Sequence, residues 1–177
     1  QVVFLKTGEP AEQYLTNVSW SPDEKYIFIA VLNRDQNHMW LNKYDAVTGA
    51  FVKTLFEETD NEYVEPLHGP EFLKTNPSQF IWQSRRDGYN HLYLYNVEGN
   101  LLIQITNGKW EVTAFQGFDP KEIRIFYAST QESPLERHLY SIELKSGKTV
   151  KYTNGKGTHT VLVSPDGKYF IDRLSST

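Results

Sequence analysis

An internal repeat of about fifty residues constrains the fold of this chain more than any other feature of its sequence. The tetrapeptide Thr-Asn-Gly-Lys at 106–109 recurs unchanged at 153–156. The turn-forming tripeptide Ser-Pro-Asp stands at 21–23 and again at 164–166, close to three repeats later. A period of this size is typical of solenoids and β-propellers, in which each repeat is one supersecondary unit.

Short apolar segments between turn residues predict β-strands throughout the chain. Their length and their β-branched and aromatic side chains suit strands, and no window keeps a helical apolar period. The segment 26–32 is almost wholly apolar, so we expect it to be buried on both faces. The predicted strands lie at 2–5, 14–20, 26–32, 38–44, 51–56, 70–73, 80–83, 91–95, 101–105, 112–115, 123–128, 138–144, 149–152, 159–163 and 169–171.

Four strands per repeat predict a β-propeller, because four short antiparallel strands at this period make one blade. We expect an all-β fold, a partial β-propeller of about three and a half four-stranded antiparallel blades. The whole of 1–177 would be a fragment of one propeller domain, with 1–16 as the end of a preceding blade, blades at 17–57, 68–107 and 108–154, and a partial blade at 155–177. A β-sandwich with accidental self-similarity is the alternative.

Composition excludes several classes of protein. The net charge of −4 argues against a nucleic-acid partner, because phosphate binding needs a concentrated basic surface. The chain has no cysteine, which removes disulfides, thiolate metal sites and Cys nucleophiles. No apolar run reaches the roughly 18 residues of a membrane span. The adjacent basic pair Arg85-Arg86 is interpreted as a solvated turn.

The sequence contains no pattern of catalytic or metal-binding residues. The histidines at 38, 68, 91, 138 and 159 show no HxH or HExxH spacing, and we interpret them as satisfied surface or turn residues. The elbow Gly-x-Ser-x-Gly that carries the nucleophile of α/β-hydrolases is missing. We therefore expect no catalytic residue, no metal site and no cofactor in this chain.

Six segments of the chain, taken in order, resemble one family. They are Glu-Gln-Tyr-Leu-Thr-Asn-Val-Ser-Trp at 12–20, Arg-Asp-Gln-Asn at 34–37, Glu-Pro-Leu-His at 65–68, Trp-Gln-Ser-Arg-Arg-Asp-Gly-Tyr-Asn-His at 82–91, Lys-Trp-Glu-Val at 109–112 and Ser-Pro-Leu-Glu-Arg-His-Leu-Tyr at 133–140. Together they resemble the propeller of bacterial dipeptidyl peptidase IV, and the resemblance covers nearly the whole chain. The segments at 82–91 and 109–112 are the most specific.

The resemblance implies that the chain is part of a two-domain serine exopeptidase. In this family an N-terminal propeller covers a C-terminal α/β-hydrolase domain, which carries a Ser-Asp-His triad. The enzyme removes N-terminal dipeptides with Pro or Ala in second position, and it usually works as a homodimer. The chain resembles the later blades, so its expected partners are the hydrolase domain of the parent chain, peptide substrate and a second copy of the parent. The expected location is the periplasm or cell envelope of a bacterium.

The resemblance also implies a position for the substrate entrance. In mammalian relatives a Phe-Arg pair lines this entrance shortly before the Glu/His-rich strand. The corresponding residues here are Tyr63, Val64, Glu65 and Pro66, which contain no Phe-Arg pair. The location of the entrance is therefore expected to carry over, with different contacts.

The family's site for the substrate α-amine is a Glu-Glu pair followed soon by Leu-Trp-Trp-Ser-Pro, and it is expected upstream of Gln1. Glu57-Glu58 resembles the pair but continues into Thr59-Asp60, so we reject that match. On a strand these two side chains would point to opposite faces and could not share a proton. We interpret the pair as part of a solvated loop.

The sequence thus favours a non-catalytic, substrate-gating propeller segment of a dipeptidyl peptidase IV-like enzyme. The alternative is a stand-alone propeller that binds a protein or ligand, with no enzyme attached. A metal-dependent propeller enzyme would need histidine pairs that converge on the central channel.

Overall fold

The structure is a computed structural model that describes residues 2–176, and within that range it contains strands, turns and loops but no helix. The strands are β1 (Gln13–Trp20), β2 (Tyr26–Asn33), β3 (His38–Asp45), β4 (Phe51–Thr59), β5 (Glu71–Phe72), β6 (Gln79–Ser84), β7 (His91–Asn96), β8 (Leu101–Gln104), β9 (Val112–Phe118), β10 (Arg124–Ser129), β11 (His138–Glu143), β12 (Thr149–Lys151), β13 (Thr158–Val163) and β14 (Phe170–Ser175). Among residues 2–176, accordingly, the structure has no helix of the length and apolarity that a membrane crossing requires.

Each of these strands overlaps a predicted one, but the strand predicted over 2–5 was wrong. That segment is apolar, yet Val2 and Phe4 are 80% and 83% exposed and take no place in a sheet. The Lys6 backbone N–H donates to the Gly49 carbonyl at 2.8 Å. One hydrogen bond to a turn does not make a ladder, so the segment stays irregular.

The strands form antiparallel sheets in which neighbours along the chain are neighbours in the sheet. Three sheets have four strands each, in the orders β1-β2-β3-β4, β5-β6-β7-β8 and β9-β10-β11-β12, and β13 pairs with β14 alone. Four-stranded meanders repeated at this period are the blades of a propeller. The predicted all-β partial propeller of three and a half blades is confirmed.

The first sheet begins earlier than the expected boundary between 16 and 17. Strand β1 pairs with β2 on both sides of that boundary, from Gln13 opposite Asn33 to Trp20 opposite Ile27. A β-bulge lies within it, where the register shifts between Thr16 and Ser19. The bulge bends one strand without ending it, so 13–16 belong to the first sheet and not to a preceding blade.

The chain divides into two compact units, one made of residues up to 86 together with 93–104, the other of 87–92 together with residues from 105 onward. In the first unit β2 is buried on both faces, as predicted. Its residues Phe28, Ala30 and Leu32 pack in one apolar cluster, and Ile27, Ile29 and Val31 pack in another. The first cluster also takes side chains from the second sheet, namely Phe80, Trp82, Tyr93 and Tyr95.

In the second unit the core joins the third sheet to the β13–β14 hairpin. Phe126 and Leu139 of the third sheet pack against Val161 of β13. On the other face of the third sheet, Tyr127 stacks on Trp110 at 6.2 Å and on Tyr140 at 5.7 Å between ring centroids. Burial of these aromatic rings adds apolar area to the interior of this unit.

The repeated Ser-Pro-Asp tripeptides make the same turn. In the first copy Ser21 Oγ donates to Asp23 Oδ1 at 2.6 Å and accepts from the Tyr26 N–H at 2.9 Å. In the second copy Ser164 Oγ donates to Asp166 Oδ1, also at 2.6 Å. Local side-chain hydrogen bonds of this kind fix a turn without help from the core, which explains why the sequence located both turns correctly.

Candidate functional site

The loop between β4 and β5 carries the four residues expected at a substrate entrance. It runs from 60 to 70 without regular structure. Tyr63 is 54% exposed and Glu65 is exposed as well. Val64 is partly buried and packs against the apolar core of its unit, while Pro66 is half-buried. The loop therefore presents an aromatic ring and a carboxylate to solvent from an anchored backbone.

Two backbone hydrogen bonds tie this loop to the turn between β2 and β3. The Asp60 N–H donates to the Asn37 carbonyl at 3.0 Å, and the Val64 N–H donates to the Gln36 carbonyl at 2.7 Å. After β4 the loop therefore runs beside the β2–β3 turn of the same sheet. These two hydrogen bonds limit the positions that Tyr63 can take.

A third anchor comes from the bulge of β1. The side-chain amide of Asn17 donates to the Pro66 carbonyl at 2.6 Å. Asn17 has a φ of 54°, the left-handed conformation that Asn tolerates better than most residues. Nearby, Gly69 lies so close to β1 that a Cβ there would stand 2.4 Å from Ser19 Oγ. The loop is therefore held at both ends and in its middle.

Three of the four expected residues line one partly open cleft. Tyr63, Val64 and Glu65 contribute to its wall, and Pro66 does not. The other lining residues come from the end of β4, the start of the loop and the β6–β7 turn: Glu58, Thr59, Asp60, Arg85 and Arg86. The cleft combines an aromatic ring with charges of both signs.

An ion pair at one wall of the cleft organises several side chains. Glu58 Oε1 accepts hydrogen bonds from Arg86 Nη2 and from Trp82 Nε1, the latter at 2.9 Å. Arg86 Nη1 donates in addition to the hydroxyl of Tyr95. The side chain of Glu58 is 9% exposed and that of Arg86 is 25% exposed. The pair is thus largely shielded from water, and a charge that is removed from water is stable only if it is paired.

Aromatic rings surround the guanidinium of Arg86, whose carbon lies 4.7 Å from the ring centroid of Tyr93, 5.4 Å from that of Tyr95 and 5.6 Å from that of Phe56. Burial lowers the pKa of Arg86, but the charges of Glu58 and Tyr95 and their hydrogen bonds together outweigh it and raise that pKa above its usual value. The interpretation of Arg85-Arg86 as a solvated turn was therefore wrong for the side chain of Arg86. The backbone of the turn is exposed, while the side chain folds back onto the rings.

The interpretation of Glu57-Glu58 as a solvated loop was also wrong, because both residues lie in β4. They point to opposite faces, as a strand requires. Glu57 Oε2 pairs with His38 Nε2 at 2.7 Å on the exposed face, and the ring of His38 stacks on Trp40 at 3.7 Å. The two carboxylates do not share a proton.

Two histidines at equivalent positions of successive repeats are buried in the second unit. His91 and His138 are each 1% exposed, so the interpretation of the histidines as surface or turn residues was wrong for them. Their Nδ1 atoms lie 3.1 Å from Thr106 Oγ1 and 3.0 Å from Thr153 Oγ1. The same hydroxyls accept the backbone N–H of Leu92 and Leu139, the residues that follow each histidine. The repeated Thr-Asn-Gly-Lys tetrapeptide was the sequence signal for this arrangement.

Threonine, histidine and glutamate form a chain of hydrogen bonds in the third sheet. His138 Nε2 lies 2.8 Å from Glu136 Oε2, opposite its contact with Thr153. The order imitates a nucleophile, a base and an orienting acid. Thr153 is 2% exposed and its hydroxyl is occupied by a backbone N–H, so no substrate atom could reach it. We interpret this series of hydrogen bonds as structural and not catalytic.

His159 of the β13–β14 hairpin is buried as well, at 3% exposure. Its Nδ1 lies 2.7 Å from Asp172 Oδ2 and its Nε2 lies 3.1 Å from the Gly155 carbonyl. The ring packs on that of His138 at 4.7 Å. Among residues 2–176, no three His, Cys, Asp or Glu side chains are grouped so that they could hold a metal ion.

A family model described as the dipeptidyl peptidase IV (DPP IV) N-terminal region matches residues 1–177 of the chain. Among curated proteins, dipeptidyl peptidase 4 of Trichophyton equinum is 26% identical over 173 residues, which are 97% of this chain and 21% of that protein.

Two solved structures that the chain superposes on are also described as dipeptidyl peptidases. A Bacteroides ovatus protein described as a dipeptidyl aminopeptidase IV superposes with a TM-score of 0.86 at 33% identity, over 97% of this chain and 27% of that one. Porphyromonas gingivalis dipeptidyl peptidase 4 superposes with a TM-score of 0.85 at 27% identity, over 97% of this chain and 24% of that one. The chain thus spans about a fifth to a quarter of the length of these relatives.

Proposed function

The chain belongs to the family of dipeptidyl peptidase IV N-terminal regions, and from this membership we propose that it gates and positions peptide substrate for a serine exopeptidase domain elsewhere in the parent protein. The match over residues 1–177 carries this proposal. The activity we propose for the parent is the release of N-terminal dipeptides with Pro or Ala in second position. The nucleophile, base and acid of that reaction would lie in an α/β-hydrolase domain, and this chain would supply none of them.

The anchored loop supports a role at the substrate entrance. Tyr63 offers an exposed ring that can pack against a peptide side chain, and Glu65 offers a carboxylate that can meet a basic group. Because the backbone is fixed at Asp60, Val64 and Pro66, little conformational entropy is lost when a peptide binds. Substrate selection at a fixed wall is what a gating propeller needs.

The test is steady-state kinetics of the full-length protein on Ala-Pro and Gly-Pro chromogenic substrates and on longer peptides. We expect Tyr63→Ala to lower kcat/KM by about 5- to 30-fold, which corresponds to about 1–2 kcal/mol of lost contact. Tyr169→Ala is the matched control, because Tyr169 is an exposed aromatic residue of the β13–β14 hairpin, outside the loop.

Three results would contradict the proposal. Full-length protein that fails to hydrolyse Xaa-Pro and Xaa-Ala substrates would leave a stand-alone binding propeller as the better function. Unchanged kinetics in both Tyr63→Ala and Glu65→Gln would place the substrate path elsewhere. Hydrolysis by the pure 177-residue chain, blocked by a serine-directed phosphonate, would place the catalytic residues in this chain.

We also propose a periplasmic or cell-envelope location and a homodimeric parent, as the family resemblance implies. The absence of cysteine is compatible with an oxidising compartment, because no thiol is at risk there. Fractionation of cells that produce the full-length protein tests the location, and sedimentation velocity tests the dimer. Protein recovered only with cytoplasmic markers, or only as a monomer, would contradict these two proposals.

A further inference from the structure

A buried lysine in the first sheet lacks a charged partner. Lys43 lies in β3 and is 6% exposed. Its neighbours on the adjacent strands are Phe28 of β2 and Lys53 of β4. Like charges directly opposite on neighbouring strands repel. Lys53 avoids this conflict by turning to Glu98, whose backbone carbonyl and carboxylate it meets at 2.9 and 3.4 Å. Lys43 has no such exit.

Within residues 2–176 the Lys43 ammonium makes one polar contact, with an aromatic ring. Its Nζ lies 3.9 Å from the ring centroid of Tyr26. A cation over a ring is stabilised by the ring quadrupole, and the Lys43 Nζ is not one of the enclosed polar atoms of the described chain. Among the described residues no carboxylate pairs with Lys43, so its ammonium lies beside the Tyr26 ring and meets water in the cavity.

Lys43 and Tyr26 line a cavity of about 240 Å³ in the first unit. Its apolar wall includes Phe28, Pro77 and Val97, and it is partly open to solvent. A cavity of about 150 Å³ is large enough for benzene. The cavity therefore has room for an aromatic ring together with a small polar group.

We propose that this cavity binds a small aromatic carboxylate, with the carboxylate on the Lys43 ammonium and the ring against the apolar wall. This site is separate from the loop of the proposed function and does not depend on it. The ligand would supply the counter-charge that Lys43 lacks. A ring of this size matches both the volume and the apolar lining.

The other polar groups of the cavity favour a carboxylate over a phosphate. Ser21 Oγ already donates to Asp23 and accepts from the Tyr26 N–H. Asp23 is exposed and pairs with Lys25 at 3.4 Å, and its carboxylate would repel a dianion more strongly than a single negative charge. One cation and no free donor beside it suit a single negative charge, whereas phosphate sites combine several donors.

The experiment uses the full-length protein and two probes, 4-bromobenzoate and its neutral counterpart 4-bromobenzamide. Calorimetry measures the affinity of each probe, and the anomalous signal of bromine in soaked crystals locates it. We expect the bromine in the cavity lined by Lys43, and an affinity for the acid at least tenfold higher than for the amide. Lys43→Met, which keeps the apolar stem, should weaken acid binding at least tenfold, and Lys53→Met should leave it unchanged.

Several outcomes would overturn the proposal: bromine located elsewhere, equal affinity for acid and amide, or acid binding unaltered by Lys43→Met. A bromine peak in crystals with no binding in calorimetry would mean binding at crystal concentration only, and would overturn it as well. The comparison of acid with amide needs no variant, so it decides the question even if Lys43→Met fails to fold. Peptidase activity does not enter any of these readouts.

Discussion

The side-chain amide of Asn17 donates a 2.6 Å hydrogen bond to the carbonyl of Pro66, which is 49 residues further along the chain. The bond joins the bulge of β1 to the loop that carries Tyr63 and Glu65. Because Asn17 adopts a left-handed φ of 54°, its side chain leaves the strand in the direction of the loop. A bulge that re-aims one side chain is a recurrent device beside functional sites.

Replacement of Asn17 by Asp should loosen this loop. The carboxylate has the same shape but cannot donate, and its oxygen would face the Pro66 carbonyl, so we expect the free energy of unfolding to fall by about 1–3 kcal/mol. Amide exchange of Val64 should become faster. Asn61→Asp, the same change at an exposed position of the loop, is the control. Equal exchange rates in both variants would show that the bond does not hold the loop.

The two glutamates of β4 should differ sharply in their contribution to stability. Glu58→Gln removes the charge that compensates Arg86, and we expect a loss of about 1–3 kcal/mol, below the value for a fully buried pair because Arg86 is 25% exposed. Glu57→Gln touches only an exposed pair with His38 and should change stability by less than about 0.5 kcal/mol. Urea unfolding of the 177-residue chain measures both. Similar losses would mean that the Glu58–Arg86 pair is solvated.

Loss of the buried threonine hydroxyl should destabilise the third sheet. Thr153→Val leaves the Leu139 N–H and His138 Nδ1 without their partner, which we expect to cost about 1–3 kcal/mol. Thr160→Val, at an exposed position of β13, should be nearly neutral. Thermal unfolding compares the two. A neutral Thr153→Val would imply that water replaces the hydroxyl.

The two copies of the Ser-Pro-Asp turn predict a stabilising substitution. Glu24 has a φ of 58°, whereas the second copy has Gly167 at this place with a φ of 66°. Only glycine adopts this conformation without steric cost, so Glu24→Gly should raise the free energy of unfolding by about 0.5–1 kcal/mol. Glu24→Ala keeps a Cβ and should bring no gain. Equal effects of the two substitutions on urea unfolding would contradict the strain argument.

Alkaline pH should destabilise the second unit through Tyr127. Burial raises the pKa of this tyrosine to about 12, from its usual value near 10. The folded form therefore holds the proton in a range where the unfolded form has released it, so stability is complete below about pH 10 and falls by about 2–3 kcal/mol as pH rises to about 12.

Urea unfolding of the unsubstituted 177-residue chain and of Tyr127→Phe, between about pH 9 and about pH 12, measures this loss of stability. The free energy of unfolding should fall less steeply with pH in Tyr127→Phe. Tyr169→Phe, at an exposed site, should behave like the unsubstituted chain. Parallel curves for the unsubstituted chain and Tyr127→Phe would show that the hydroxyl ionises without unfolding the chain.

The sequence determined the fold of this protein almost completely. Short apolar runs, turn tripeptides such as 21–23 and the repeat of 106–109 at 153–156 are local signals, and hydrogen bonds within a turn or between adjacent strands satisfy them locally. The failures have physical causes. The segment 2–5 has strand-like composition but finds no partner strand, and the bulge at Asn17 keeps β1 continuous across the expected blade boundary.

Only the tertiary structure decided which side chains meet. Glu58 and Arg86 lie 28 residues apart, and their partnership depends on how two sheets pack, which composition and spacing do not encode. The same holds for the hydrogen bond between Asn17 and Pro66. It also holds for Lys43, because nothing in the sequence around it predicts the cavity that it lines. Strand identity follows from the backbone and its neighbours along the chain, whereas a site is formed by side chains that meet only after the sheets have packed.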